Sequence, residues 1–367
     1  MKILYIISAV NNQGGVARVL AAKTNYIVEN FGYEVIIVTE DNGNEPLFFE
    51  FNPKIKIIDI KLSKNKITEI IQYKTKIQNI INEHNPNYII TSNFHFKSFL
   101  IPYLLKTKIP IVFEAHGSKF NEELFVGNSI YHAFRRKIKV LYRCFLANKF
   151  DFFIVLSPQS FEEWNIKNAV IIPNAIWFQV DKLATLQSKK IIAVSRHSYE
   201  KGLDRLLPIC KKITEKHPDW VLEIYGEENE NQNLVLQSLE LKIENNVVFL
   251  RPVSNIVSKY QSSSIYVMTS RFEAFPMVLL EAMMCGLPVI AYDCPTGPRA
   301  IVANNEDGFL IENGNEKEFV SKLLELIENQ DLRIKIGAKA HQSVVKYDLK
   351  MVMNQWNTFF VKNNILS

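Results

Sequence analysis

The apolar positions of this chain fall into short runs whose period changes back and forth. KILYIISA (2–9), YEVIIVTE (33–40), KIKIIDI (54–60), NYIITS (87–92), PIVFEAH (110–116) and DFFIVLS (151–157) are β-branched, aromatic-rich runs of strand length. Between several of them, VARVLAAKTNYIVENFG (16–32), ITEIIQYKTKIQNIINEH (67–84) and FKSFLIPYLLK (96–106) space their apolar residues as one-faced helices do. The rhythm breaks across AVIIPNAIWFQVDKLATLQSKK (169–190), which reads as a joint, and then restarts. KKIIAVSR, WVLEIYGE, NVVFLRPV, SIYVMTSR, LPVIAYD and GFLIENG form a second strand series, with LDRLLPICKKITEKHP and PMVLLEAMMCG as helices among them. Strand and helix in alternation predict parallel sheets covered on both faces, because parallel neighbours need long crossovers. The expected fold is α/β, with two doubly wound halves. DLKMVMNQWNTFFVKNN (348–364) has no strand after it, and the pattern leaves open which half it packs on.

Length and composition agree with two domains. The chain has 367 residues, 47% of them hydrophobic and 22% charged, the balance of a folded globular protein. A net charge of +5 is mild and does not call for nucleic acid. The four cysteines, Cys144, Cys210, Cys285 and Cys294, form no Cys-x-x-Cys pair, which argues against a disulfide scaffold or zinc site and suits a reducing cytoplasm. The N-terminal MKILYIISAVNNQGG reads as a buried strand and turn rather than a signal peptide, and no run has the length of a membrane span. No short repeat and no low-complexity segment is present.

In doubly wound sheets ligands meet the carboxyl ends of strands, so polar residues directly after strands carry the functional signal. The sharpest stretch is EAFPMVLLEAMMCGLPV (273–289), where Glu273 and Glu281 stand in an apolar run. Pro276 suits a first helical turn and Gly286 a helix stop. Glu273 then precedes a helix N-terminus, itself suited to an anion, and Glu281 lies about one turn in, so both lean toward the same sheet edge. Carboxylates there accept from paired hydroxyls, as on a sugar or ribose. SRHSYEKG (195–202) follows another strand and puts Arg196 and Lys201, two cations, at the same sheet edge. His197 between them has no assigned role.

Three further stretches carry weaker signals. NNQGGVARVL (11–20) is neither a dinucleotide fingerprint nor a P-loop, but Gly14 and Gly15 allow close backbone approach at a helix start. His116 ends PIVFEAHG at the cleft edge of the first half; Glu114 is expected on the opposite face of that strand, outside the site. YHAFRRKIKVLYRCFLANKF (131–150) puts Phe134, Ile138, Leu141, Tyr142 and Phe145 on one face, with Arg135, Arg136, Lys137, Lys139 and Arg143 around the other. The simpler expectation is a helix packed on the first sheet with a solvated basic face; an anionic lipid surface is the alternative. No Asp-x-Asp or His-x-x-x-His pair is present, so no metal site is expected.

Together, the Glu273–Glu281 stretch, the Arg-x4-Lys-Gly segment at Arg196–Gly202 and DCPTGPRAIV (293–302) resemble the retaining glycosyltransferases of family 4, and the likeness covers essentially the whole chain. The resemblance implies the GT-B fold, two Rossmann-like domains facing each other across a cleft. It implies an acceptor-side domain at 1–175, with the C-terminal helix at about 346–367, and a nucleotide-sugar domain at 176–345. It implies that Glu273 contacts the donor sugar, that Glu281 contacts the ribose, and that Arg196 and Lys201 hold the pyrophosphate. His116 would stand near the donor sugar, and Gly14 and Gly15 near its phosphate or sugar. Ala274, Phe275, Pro276 and Met277 would line the donor through the loop and first helical turn, and Val253, beside Arg251, would meet the base. Asn174 matches a recurrent asparagine. Ala17 departs from the pattern, since many relatives have Glu there, which leaves Arg18 without that neighbour.

The implied activity is retaining transfer of a hexose or N-acetylhexosamine, with Gal, GalNAc or GlcNAc favoured. The donor would be a UDP-sugar and the acceptor a saccharide, lipid-linked by preference, in bacterial polysaccharide or glycan synthesis. No metal or other cofactor is implied, and the place is cytoplasmic, with peripheral attachment to the membrane's inner face left open. The competing readings are an epimerase or hydrolase of nucleotide-sugars on the same fold, and a non-catalytic two-lobed sugar-binding protein. A dehydrogenase is disfavoured because neither half carries the dinucleotide fingerprint.

Overall fold

The structure is a computed structural model that describes residues 1–12, 14–43, 46–63, 65–119, 130–229 and 233–364. The chain divides into two units, Met1–Trp177 with Leu349–Ser367, and Phe178–Asp348.

The first unit is built on seven parallel strands: β1 (Lys2–Ile7), β2 (Glu34–Thr39), β3 (Lys56–Asp59), β4 (Tyr88–Thr91), β5 (Ile111–Glu114), β6 (Phe152–Val155) and β7 (Ala169–Ile171). Their spatial order is β3-β2-β1-β4-β5-β6-β7. Period-two alternation sends Leu4 and Ile6 into one apolar layer, with Ile36, Phe113 and Phe153. Ile3, Tyr5 and Ile7 enter the other, with Ile37, Tyr88 and Ile154. Burial on both faces is why these strands read as unbroken apolar runs. The C-terminal helix Leu349–Asn364 closes the second layer with Met353, Trp356 and Phe360, and Tyr88 Oη donates to the Phe360 carbonyl at 2.9 Å. It therefore packs on the first unit.

Two local expectations need correction. Ala169–Ile171, read as part of the joint, is the edge strand β7, paired with β6 through Val170 and Ile154. FKSFLIPYLLK forms two short helices, Phe96–Phe99 and Ile101–Leu104. Pro102 has no N–H to continue the first helix but fits the opening turn of a second.

The second unit has six parallel strands: β8 (Lys190–Val194), β9 (Val221–Tyr225), β10 (Val247–Leu250), β11 (Ile265–Met268), β12 (Val289–Asp293) and β13 (Phe309–Glu312), ordered β10-β9-β8-β11-β12-β13. In each sheet the chain fills one side and then crosses to the other, between β1 and β4 and between β8 and β11. Those are the switch points where loops diverge and leave room for a ligand.

Candidate active site

The switch point of the second unit gathers the strongest sequence signals. The loop after β8 runs into Gly202, whose φ of +64 lies out of easy reach of side-chain-bearing residues, and an added Cβ would sit 2.2 Å from the Thr269 carbonyl oxygen. Glycine thus lets this loop lie against the end of β11. Thr269 Oγ1 donates to the Gly202 carbonyl at 2.8 Å and locks the contact. The result is that Lys201 Nζ stands 2.8 Å from Glu273 Oε1, which also accepts from Ser270 Oγ at 2.8 Å. Lys201, Ser270 and Glu273 line a small pocket with Ser195 and Thr269. A cation and an acceptor side by side suit a ligand that offers both phosphate and hydroxyls.

Glu273 is held by its backbone. Its carbonyl accepts from Gly297 N at 3.0 Å and Thr296 Oγ1 at 2.8 Å, and a Cβ on Gly297 would collide with Pro276 and Glu273. The TGP turn and the EAFP loop are therefore one packed unit. Ala274 is half-buried and Phe275 buried; Pro276 precedes the helix Met277–Met284, and Met277 opens it half-buried. Gly286 follows the helix at φ +78, the expected stop.

The structure does not bring every expected residue into this pocket. Glu281 is 1% exposed, accepts from Tyr260 Oη at 3.1 Å and does not line it. Both carboxylates nevertheless act on one phenol: burial first, then Glu273 and Glu281, push the Tyr266 hydroxyl well up. Arg196 is turned outward, its side chain 67% exposed and 3.3 Å from Glu200. Arg251 is exposed and Val253 half-buried after β10, two strands from β8 and so on the order of 10 Å along the sheet edge. His197 is a buried side chain whose ring meets Phe249 edge-on at 5.7 Å, and burial lowers its pKa. It packs within the second unit.

A brace that the sequence did not reveal supports the loop. Arg271 bonds both oxygens of Asp204, at 2.7 and 2.6 Å, donates to the Tyr199 carbonyl at 2.8 Å, and lies over the Tyr199 ring. This bidentate pair ties the end of β11 to the segment carrying Lys201. Only an acid two residues past the Lys-Gly pair hinted at it.

In the first unit, the helix Gly15–Phe31 begins directly after Gly14, which adopts φ −68, so neither glycine is needed for a left-handed turn. Gly15 is required by nothing nearby: a Cβ there meets no atom within 4 Å, whereas one on Gly14 would strike Asn12 Oδ1 at 2.7 Å. Gly14 has no side chain to cap this N-terminus, and its own N–H donates to Asn12 Oδ1 at 2.9 Å. Gln13 of the same loop lies outside the described residues. Arg18 lies over the rings of Phe49 and Trp177, at 5.2 and 5.0 Å.

His116 follows β5, and the expectation for Glu114 is wrong. Residues two apart in a strand share a face, and Glu114 Oε2 lies 3.5 Å from His116 Nε2. The other Glu114 oxygen pairs with Lys23, and Asn174 lines a small pocket with both. Burial would raise the Glu114 carboxyl, but Lys23 and His116 outweigh it and hold the group at about 2. A second buried polar cluster sits at the ends of β2 and β4. Asn93 bonds Glu40 at 3.1 Å, and Lys97 reaches Glu40 at 2.6 Å. Sequence reading missed it, although Glu40 and Asn93 each stand just beyond a strand.

The helix Ile130–Ala147 corrects another expectation. Among the described residues, its last turn packs through Leu146 and Ala147 with Cys144 against the first core layer. Phe134, Ile138, Leu141, Tyr142 and Phe145 are exposed, as is Phe96, which stacks on Tyr142 at 5.4 Å. Lys137 and Lys139 are exposed too, and the side chains of Arg135 and Arg136 lie outside the described residues. The apolar face is not packed on the sheet. Among the described residues no helix is long and apolar enough to cross a membrane, and no group of three or more His, Cys, Asp or Glu is disposed to hold a metal.

Two parallel-sheet Rossmann-like units, one with a cation–carboxylate pocket at its switch point, are the architecture of GT-B glycosyltransferases. The model "Glycosyltransferase Family 4" matches residues 13–177, and "Glycosyl transferases group 1" matches residues 176–343. An uncharacterized glycosyltransferase of Haemophilus influenzae is 30% identical over 362 residues, covering 97% of this chain and 98% of that one. The amylovoran biosynthesis glycosyltransferase AmsD of Erwinia amylovora is 27% identical, with coverage of 97% and 98%. Among solved structures, TarM matches with a TM-score of 0.80 over 98% of each chain, at 16% identity. A complex of the Staphylococcus aureus TarM G117R mutant containing UDP and alpha-GlcNAc-glycerol matches at 0.79, at 15% identity and covering 98% of this chain and 100% of that one. The chain belongs to the family 4 glycosyltransferases, with the GT-B fold.

Proposed function

We propose that this glycosyltransferase acts in bacterial surface-polysaccharide synthesis and moves a hexose or N-acetylhexosamine from a UDP-sugar to a saccharide acceptor with retention. The observation that carries the reading is the Lys201–Glu273 pair at 2.8 Å, in a pocket at the β8–β11 switch point. In this reading Glu273 accepts from hydroxyls of the donor sugar while Lys201, joined by Arg196, meets the diphosphate. Glu281 serves the ribose, Val253 the base, Gly14 and Gly15 the donor phosphate or sugar, and His116 the transferred sugar. The bond from the anomeric carbon to the diphosphate oxygen breaks, and the acceptor oxygen bonds that carbon on the same face. The acceptor's proton passes to the departing phosphate. Lysine and arginine meet the charge that develops, so no metal is required. The role of AmsD in amylovoran biosynthesis, as its name states, supports a polysaccharide product.

The test is UDP release across a panel of UDP-sugars, with free and lipid-linked saccharides as acceptors and with EDTA present. Acceptor-dependent UDP release from one hexose or N-acetylhexosamine donor, undiminished by EDTA, is expected. Stoichiometric free sugar without acceptor, rapid epimerisation, or loss of turnover on chelation would each overturn part of the reading.

A lipid-linked acceptor would place the enzyme at a membrane, and the exposed stripe Phe134, Ile138, Leu141, Tyr142 and Phe145 beside Lys137 and Lys139 supports that location. Burying one large apolar side chain contributes roughly 1.5–3 kcal/mol, and each basic residue near an anionic surface about 1 kcal/mol. The protein is therefore expected to sediment with phosphatidylglycerol vesicles. The Phe134→Ser/Leu141→Ser/Phe145→Ser variant should remain in the supernatant at unchanged thermal stability. Equal sedimentation of both proteins would remove this surface from the account.

A further inference from the structure

The first unit contains a buried ion pair, Lys23–Glu114, to which the donor reading gives no role. Lys23, 4% exposed, comes from the middle of the helix Gly15–Phe31, and Glu114, 2% exposed, ends β5. One Glu114 oxygen is bonded to Lys23, and the other stands 3.5 Å from His116 Nε2. Lys23 also lies over the Trp356 ring at 4.3 Å and the Tyr5 ring at 5.0 Å, so three elements of the unit converge on its charge.

Stability is a poor reason for this arrangement, because a buried ion pair is often no better than apolar residues of the same volume. Its geometry gives a better one. The carboxylate is divided, with one oxygen fixed by a cation and the other turned to an imidazole. A carboxylate facing Nε2 favours the proton on that nitrogen and leaves Nδ1 as an acceptor, while fixing the ring's orientation. The His116 amide also bonds back to the Glu114 carbonyl at 3.2 Å, so the backbone turn itself brings the two residues together.

We infer that Glu114 is a positioning residue for His116, setting its tautomer and ring orientation, and that Lys23 fixes Glu114 for this task; the inference rests on the reading that His116 serves the transferred sugar. Lys23 and His116 hold the Glu114 carboxyl at about 2, so this carboxylate stays ionised throughout the neutral range, while burial lowers the Lys23 pKa against the opposing pull of Glu114.

The experiment compares Lys23→Met with the double variant Lys23→Met/Glu114→Leu. The single variant strands a buried carboxylate and should lose thermal stability. The double variant replaces the pair by apolar residues and should regain it. If the pair only holds the fold together, turnover returns with stability. If Glu114 positions His116, kcat stays about 10–100-fold low in the restored protein, while the KM for donor is unchanged. Nitrogen-15 spectra of the histidine rings, with His116 assigned through His116→Gln, give a second reading on the free protein. The Nε2–H form should dominate in wild type and give way to a mixture in the double variant.

Wild-type kcat at restored stability, or an unchanged His116 tautomer, overturns the inference. Should the double variant not fold, Glu114→Gln gives the same ring spectrum with the shape preserved, and the same shift in tautomer is expected. The ring spectrum needs no substrate, so failure of the clamp and failure of the transfer reading are separately visible.

Discussion

Lys201→Met is expected to lower kcat/KM for sugar transfer by about 100–1000-fold, the usual loss when one fixed group facing developing charge is removed. Lys201 sits 2.8 Å from Glu273 with its side chain 20% exposed, so it is oriented before any ligand arrives. Methionine keeps the aliphatic length and surrenders the charge. Glu273 would retain Ser270 as a donor at 2.8 Å, so the fold should survive with a modest fall in melting temperature. Lys201→Arg should recover little, because a planar guanidinium does not fit where a compact ammonium contacts one carboxylate oxygen. Steady-state kinetics well below the melting temperature separate the two effects. A variant within threefold of wild type would remove Lys201 from the chemistry.

The second large effect is expected at a residue with no side chain. Gly202→Ala must place a Cβ 2.2 Å from the Thr269 carbonyl oxygen at φ +64. Left-handed backbone costs about 1–2 kcal/mol for a residue with a Cβ, and overpacking adds about 1–3 kcal/mol. At roughly 2–4 °C per kcal/mol for a unit of this size, the melting temperature should fall by roughly 4–20 °C. Relief of the clash pushes the loop away from β11, and Lys201 with it. UDP-sugar affinity should therefore fall alongside stability, although Gly202 has no group to bind a ligand. Calorimetry and donor titration check both, and a wild-type melting temperature would show that the loop is not held as described.

The fold was legible because both sheets are buried on both faces, so twelve strands announced themselves as apolar runs. β7 did not, being a three-residue edge strand in a stretch without periodicity. Glu273 and Lys201 were legible from their places just after strands, and the structure joins them. Partnerships were not legible. Nothing in the spacing says that Arg271 clasps Asp204, 67 residues away, or that Lys23 reaches Glu114, 91 residues away. Strand periodicity alone puts Glu114 on the same face as His116, two residues on, so that neighbourhood is written in the sequence. The helix at 130–147 shows a different limit: an amphipathic pattern marks an apolar face without saying what covers it.

The central claim is that the Lys201–Glu273 pocket holds the diphosphate end of a nucleotide-sugar. Isothermal titration of UDP into the full chain, with EDTA present, tests it most directly when run beside Lys201→Met. The account predicts saturable one-to-one binding that weakens at least tenfold in the variant. No saturable UDP binding by the wild-type protein, or equal affinity in the two, would contradict it.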